Sequence, residues 1–311
     1  MKTVLITGAA GFIGSNLSKH LAGIGWNVVG VDNLRSGRES NIDNIKNNFL
    51  FYNANILDDN KMNEIFKNHS NIEQIIHLAA IPRVSYSVEN PLETNDTNVT
   101  GTLKILDLAR KYYIKKVIFA SSSSVYGGSK ILPTPESITL APKSPYALQK
   151  MIGEEYCKMY SYFYGLDTVS MRFFNIFGPN QYGDSPYASV ISAFCQSIKD
   201  SKSPIIYGDG SFFRDFTYID NVVDFIVKAS NHSKPLNGEV FNVGCGKKTS
   251  INDLVKMMNA LPPKHFEERV GDVPCSQADI SKAKEILGYT PLVDIEDGLK
   301  ETINWYIKNT D

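Results

Sequence analysis

The chain has 311 residues, 42% of them hydrophobic, with 32 basic against 33 acidic side chains and a formal charge of −1 at pH 7. That length supplies core for one large α/β unit or for two domains of about 150 residues each, and the balanced charge leaves no basic footprint for nucleic acid. No apolar run reaches membrane length, and Cys157, Cys195, Cys245 and Cys275 lack the spacing of a metal or redox motif. We therefore expect buried thiols, no metal, no membrane or nucleic-acid partner, and a cytoplasmic location.

In chain order, the first segment, MKTVLITGAAGFIG, sets an apolar run against glycines at fixed offsets. Val4, Leu5 and Ile6 predict a buried parallel strand over Lys2 to Thr7. Gly8, Gly11 and Gly14 follow, where a backbone can turn tightly, approach a pyrophosphate and pack a helix close to the strand. Ile13, Leu17, Leu21 and Ile24 recur at helical spacing, so the N-terminal amides of that helix face the phosphates. A second strand, Trp26 to Val31, runs into Asp32, a carboxylate placed to accept from an adenosine ribose and to repel a 2′-phosphate. The predicted cofactor is NAD, with Arg35 and Arg38 keeping NADP as the alternative. The Gly-x-x-Gly-x-x-Gly spacing resembles that of the extended short-chain dehydrogenase/reductase superfamily.

Further strands are predicted at Phe49 to Asn53, Gln74 to Leu78, Lys116 to Ser121 and Thr168 to Phe173, with helical patterns between them. Val99, Leu103, Leu106 and Ala109 form one helical stripe within Asn95 to Tyr112. Tyr156, Tyr160, Phe163 and Tyr164 form another within Lys143 to Tyr164. Such stripes read as core, or as the seam between subunits. After about Asn175 the pattern loses regularity. The expected fold is α/β, a doubly wound parallel (Rossmann) sheet with a smaller mixed α/β substrate-binding region. We place an NAD-binding domain at 1–174 and a substrate-binding domain at 175–311, with 216–244 returning to the main sheet.

Tyr146 and Lys150 stand one helical turn apart and project from one face. A free phenol titrates near about 10 and is a poor base at neutral pH, but an ammonium and an oxidised nicotinamide close by favour the phenolate. Tyr146 is thus the candidate base and Lys150 its tuning cation. Upstream, Phe119 to Gly127 reads FASSSSVYG and leaves a predicted strand at its C-terminal end, where open α/β sheets bind ligands.

Arg172 to Pro179, RFFNIFGP, closely resembles the Arg-Tyr-Phe-Asn-x-x-Gly-Pro segment of nucleoside-diphosphate-sugar epimerases, and Arg214-Asp215-Phe216 and Arg269-x-Gly-Asp272 follow in matching order. From Thr7 through Gly288-Tyr289-Thr290-Pro291, the chain resembles the galactose epimerase family, in its branch acting on UDP-N-acetylhexosamines. The resemblance implies that Ser122 joins Tyr146 and Lys150 as the catalytic set. It sets Asn175, Arg214 and Arg269 on the substrate diphosphate, Asp272 on its ribose, and Ser276 at a gate where a small side chain admits a 2-acetamido group. It puts Phe12, Ile13, Asn33, Ser36 and Gly37 around the pyrophosphate and adenosine, and Asn55 and Ile56 against the adenine. Leu78, Ala79, Ala80, Asn98 and Phe173 lie along the cofactor, and Ser87, Ser123, Val190 and Tyr207 on the substrate side. It makes His77 structural and the protein a homodimer. Related dehydratases carry Asp-Glu or Ser-Glu after the catalytic serine, and xylose-forming decarboxylases a Glu, whereas Ser123 and Ser124 stand here, against both. The implied reaction is interconversion of UDP-N-acetylglucosamine and UDP-N-acetylgalactosamine through a 4-keto sugar, with UDP-glucose and UDP-galactose as further substrates. A uronic acid 4-epimerase would need an added cation for the carboxylate, and the sequence identifies none. A catalytically silent NAD-binding regulatory protein is the remaining alternative, one that would be free to lose Ser122, Tyr146 or Lys150.

Overall fold

The computed structural model describes residues 2–183, 188–268 and 275–309. Its first half alternates β1 (Thr3–Thr7), α1 (Phe12–Gly23), β2 (Asn27–Asp32), β3 (Phe49–Asn53), α2 (Asp59–Asn68) and β4 (Gln74–His77). Short helices α3 (Val84–Glu89) and α4 (Pro91–Asn95) lead through one wide turn at 96–100 into α5 (Gly101–Lys111). Then come β5 (Lys116–Ser122), α6 (Pro145–Tyr164) and β6 (Asp167–Phe173). Sequence reading ended β2 one residue early, so Asp32 is its last residue rather than the first of the loop.

The second half is built of smaller pieces: β7 (Ile176–Phe177), α7 (Val190–Lys199), β8 (Ile205–Tyr207), β9 (Phe213–Arg214) and β10 (Thr217–Tyr218). They are followed by α8 (Ile219–Asn231), β11 (Glu239–Val243), β12 (Thr249–Ser250), α9 (Ile251–Met257), β13 (Lys264–Phe266), α10 (Ser281–Leu287) and α11 (Ile295–Asn309). The main sheet has the order β11-β6-β5-β4-β1-β2-β3, parallel throughout, so the chain does return to it after β10. Outside it, β7 pairs with β10, β9 with β12 and β8 with β13.

Strand alternation divides the core into two layers. Val4, Ile6, Val28, Ile76 and Ile118 face α1, α8 and the second-half helices, whereas Leu5, Val29, Ile75 and Val117 face α2, α5 and α6. Helix α6 has sharp local signals at both ends: Ser144 Oγ accepts from Ala147 N, Pro145 opens the helix, and Gly165 closes it in the left-handed region. Its aromatic stripe is core only in part. Tyr160 is buried, but Phe163 and Tyr164 are 64% and 56% exposed. Cys157 and Cys195 are buried as expected, while Cys245 and Cys275 are only half-buried; all four are free.

Candidate active site

The chain reverses its winding between β1 and β4, which opens a crevice at the C-terminal strand ends. Gly8 there takes φ +74°, and a Cβ on Gly14 would fall 2.0 Å from Gly8 O, so α1 can lie this close to the turn only with glycine at that position. Gly11 caps α1 with no side-chain bond, which leaves the amides of its first turn, at Phe12 and Ile13, to serve an anion. Asp32 Oδ2 accepts from Ala10 N at 3.0 Å and Oδ1 from Leu34 N at 2.8 Å. Burial pushes its carboxyl up while surrounding backbone amides oppose the shift, and each oxygen keeps a lone pair for a ribose hydroxyl. Gly37 approaches so closely that a Cβ would sit 2.9 Å from Asp32 Oδ2. These features fit a dinucleotide.

The cations of the NADP alternative are otherwise engaged. Arg35 pairs with Glu93 and donates to Tyr86 Oη at 2.8 Å, and Arg38 lies 3.5 Å from the Tyr182 ring centre. Asn33 and Ser36 are exposed on the same loop, and Leu78, Ala79 and Ala80 are half-buried at the end of β4. Asn55 is exposed and its Oδ1 accepts from Leu57 N at 3.0 Å, whereas Ile56 packs its side chain inward against Gly101. Asn98 departs from expectation. It is buried, its Oδ1 accepts from Ile81 N, and its Nδ2 donates to Ile81 O and Gln149 Oε1, so it positions the loop after β4 instead of presenting its amide to a cofactor.

The three residues expected to carry the chemistry are brought together. Ser122, last residue of β5, lies close enough to the Tyr146 hydroxyl to oppose its upward shift, and its Oγ accepts from Ser124 N at 3.2 Å. Lys150 Nζ lies 5.8 Å from the Tyr146 ring centre and donates to Ala120 O at 2.7 Å. Burial pushes Tyr146 up to about 12 and Lys150 down to about 7. Among the protein's own groups desolvation dominates at Tyr146, opposed by Ser122 and Arg83, and the expected contribution of an oxidised nicotinamide belongs to the cofactor-bound site. Arg83 was missed from the sequence, although it sits in the loop after β4 between Ala80 and Ser87, both already singled out. His77 is structural, as expected. It bonds Thr7 Oγ1 at 2.7 Å and Thr102 Oγ1 at 3.1 Å, and burial lowers its pKa to about 3, so it stays neutral.

Beyond the trio, Phe173 ends β6 opposite Ser122, and Asn175 follows two residues later. Asn175 Nδ2 donates to Ser276 Oγ at 3.2 Å, and Ser276 N donates to Phe213 O, next to Arg214. Asn175, Arg214 and Ser276 therefore gather although 101 positions separate the outer two. Asp215 is no ligand. Fully buried, it accepts from Cys245, Gly246 and Ala278 amides and holds this cluster in place. Ser87 is likewise buried, and its Oγ accepts from Tyr146 N at 3.0 Å and donates to Val84 O, which makes it a positioning residue, not a substrate contact. Ser123 follows Ser122 half-buried, Val190 opens α7, and Tyr207 ends β8 beside Phe266. Arg269 and Asp272 lie outside the described residues. A second buried group also escaped the sequence reading: Arg172 forms a two-pronged pair with Glu154 at 2.9 and 2.7 Å and donates to Tyr126 Oη at 2.9 Å, tying β6 to α6 behind the trio.

Comparison with known proteins agrees with this geometry. The profile of the NAD dependent epimerase/dehydratase family matches residues 4–244. The UDP-glucuronate 4-epimerase of Thermodesulfobacterium geofontis is 37% identical, with 98% of this chain and 96% of the relative covered. Among solved structures, the UDP-N-acetylglucosamine 4-epimerase of Methanobrevibacter ruminantium, in complex with UDP-N-acetylmuramic acid, is 37% identical over 98% of each chain with a TM-score of 0.92. The UDP-glucose 4-epimerase of Thermotoga maritima, with UDP-glucose, is 36% identical over 99% of this chain and 100% of its own, with a TM-score of 0.93. The chain belongs to the NAD-dependent epimerase/dehydratase family of the extended short-chain dehydrogenase/reductases, where its relatives include UDP-sugar 4-epimerases.

Proposed function

We propose that the protein is an NAD-dependent UDP-sugar 4-epimerase that interconverts UDP-N-acetylglucosamine and UDP-N-acetylgalactosamine, with UDP-glucose and UDP-galactose as a further pair. The observation that carries this reading is the approach of Ser122 to the Tyr146 hydroxyl at the C-terminal end of β5, beside the strand that leads on to Asn175 and its bond to Ser276. NAD, when bound, accepts hydride from C4 of the sugar, returns it to the opposite face, and adds a positive ring beside Tyr146. Tyr146 takes the proton of the 4-hydroxyl and later gives it back, with Ser122 bridging the phenol and the sugar oxygen. Lys150, anchored on Ala120 O, holds the nicotinamide ribose. Asn175, Arg214 and Arg269 grip the diphosphate and Asp272 the uridine ribose while the ketopyranose turns between them. The adenosine end rests on Asp32, Asn33, Ser36, Gly37 and Asn55, and Leu78 to Ala80 flank the cofactor.

The proposal divides the chain at 174/175 into cofactor and substrate regions. It also takes the protein to be a cytoplasmic homodimer: the four free cysteines suit a reducing compartment, and the exposed aromatic end of α6 offers an apolar surface for a second subunit. The test is incubation of purified protein with UDP-N-acetylglucosamine and, separately, UDP-glucose, without added NAD, following the C4 epimers by chromatography. Formation of UDP-N-acetylgalactosamine is the expected result. Turnover of UDP-glucose alone would remove the gate argument and leave the chemistry standing, and no conversion with NAD supplied would overturn the reading.

A further inference from the structure

Paired positions on β5, β6 and β11 form a buried polar row across the main sheet. Ser121 stands opposite Arg172, and Arg172 opposite Asn242, one residue before the row of Ser122, Phe173 and Val243 at the strand ends. At the β5 end, Ser121 Oγ donates to Glu154 Oε1, which joins the row to α6. At the β11 end the polar groups serve another purpose. Arg172 Nη1 donates to Tyr126 Oη, and the single hydroxyl hydrogen of Tyr126 goes to Asn242 Oδ1 at 2.6 Å. That bond fixes which way the Asn242 amide lies, with its nitrogen turned to two main-chain carbonyls, Thr134 O at 2.8 Å and Asp279 O at 3.0 Å.

Both carbonyls belong to one junction. Thr134 bridges Ala278: its N donates to Gln277 O at 2.8 Å, and its O accepts from Asp279 N at 3.0 Å. Residues 276–279 are therefore held from two sides. On one side Ser276 N donates to Phe213 O, Asn175 donates to Ser276 Oγ, and Ala278 N donates to Asp215. On the other stand Thr134 and the Asn242 amide. The Asn242 side chain is fully buried with its oxygen and both its donor bonds engaged, so any movement of the junction leaves a polar atom unpaired. It acts as a rigid spacer between β11 and the segment that carries Ser276.

We propose that Asn242 is a specificity-determining positioning residue: by clasping Thr134 and Asp279 it holds the Ser276 segment back and keeps open the space for a 2-acetamido group. The assignment rests on the UDP-sugar 4-epimerase reading, in which Ser276 stands beside the sugar. Asn242 acts through that segment rather than on the substrate. Without the clasp, the remaining ties of Ser276 run to Asn175 and Phe213. The segment then settles toward Asn175, on the diphosphate side, and the larger sugar loses more than the smaller one.

Two variants test this. Asn242→Asp keeps the size of the side chain and the bond from Tyr126, but sets an oxygen against the two carbonyls. Tyr126→Phe leaves Asn242 in place, keeps the ring beside Phe174, and removes the hydroxyl that fixes the amide. For the natural chain and both variants, NAD-loaded, kcat/KM and calorimetric affinity are measured for UDP-N-acetylglucosamine and UDP-glucose. The ratio of the first sugar to the second is expected to fall by about 10-fold in Asn242→Asp and by less in Tyr126→Phe, with NAD affinity unchanged. A ratio that stays the same, whether both sugars lose equally or neither does, would overturn the assignment and leave Asn242 a purely structural residue. Should Asn242→Asp fail to fold, Tyr126→Phe decides by the same criterion. If the natural chain epimerises no UDP-sugar, the functional reading falls, and the calorimetric ratio still decides whether Asn242 sets sugar choice.

Discussion

The two halves of the molecule are held together differently. Up to β6, the strands apart from the β2–β3 pair are joined through helices that pack back on the sheet, and side chains alternate between two apolar layers. From Asn175 onward the pieces outside the main sheet are two- or three-residue strands in separate pairs, and a single buried carboxylate, Asp215, ties three backbone amides from distant segments. In the proposed function the first half presents strand ends to the cofactor, and the second surrounds the sugar with parts whose positions depend on polar contacts between remote residues, an arrangement suited to changing substrate without changing chemistry.

The largest expected effect separates chemistry from architecture in the first half. Replacing Tyr146 by Phe removes the proton carrier and little else, since its ring stays buried and its amide still meets Ser87. Turnover falls by about 1,000-fold with NAD binding and unfolding midpoint retained; a variant that keeps normal rates would take the base role away from Tyr146. Next comes the Arg172–Glu154 pair behind the trio. Both side chains are almost wholly buried, at 3% and 0% exposure, so Glu154→Ala leaves an uncompensated guanidinium and costs about 4 kcal/mol. Urea unfolding measures it, and a loss below about 1 kcal/mol would mean that the pair behaves like a surface one.

In the second half the corresponding variant is Asp215→Asn, because an amide nitrogen cannot accept from the amides that the carboxylate now holds. We expect a loss of about 2 kcal/mol at neutral pH. Burial pushes Asp215 up to about 6, above an unfolded aspartate near about 4. A group with a raised folded pKa binds its proton more tightly when folded. Its contribution is fully present below about pH 4 and is lost as pH rises through about 6. Stability of the natural chain relative to Asp215→Asn therefore declines between those limits, and a gap that widens with rising pH would show that the ionised hydrogen bonds outweigh burial.

What the sequence revealed follows the same division. Gly8, Gly11, Gly14 and Asp32 act through backbone geometry within a few residues, so their spacing alone displays the cofactor cradle. Tyr146 and Lys150 share a helix face, which is again local. Ser87 and Asn98 were assigned to ligands, yet each uses its polar atoms on protein partners that the chain order cannot reveal, 59 residues away for Ser87 and as many as 51 for Asn98. Arg83 was legible as a charge but not as a neighbour of Tyr146, because that proximity arises from the docking of α3 against α6. Asp215 looked like part of a binding motif because its neighbour Arg214 does, and only burial distinguishes them.

The smallest effect bears most directly on the contrast between the halves. Ser276 lies in the second half, on a segment fixed by the hydrogen bond from its amide to Phe213 O and by the one its Oγ accepts from Asn175. In the proposed function a serine there leaves volume beside the sugar, and a tyrosine would fill it. In Ser276→Tyr, the ratio of kcat/KM for UDP-N-acetylglucosamine over UDP-glucose should drop by about 30-fold, the scale on which a site rejects a group too large for it, while the plain hexose keeps most of its rate. Such a shift, with NAD binding unaltered, would mean that sugar choice is set in the loosely assembled half without disturbing the trio. Equal loss on both sugars would instead tie Ser276 to the diphosphate through Asn175, and the two halves would then share the work of holding the nucleotide while the first half alone retained the chemistry.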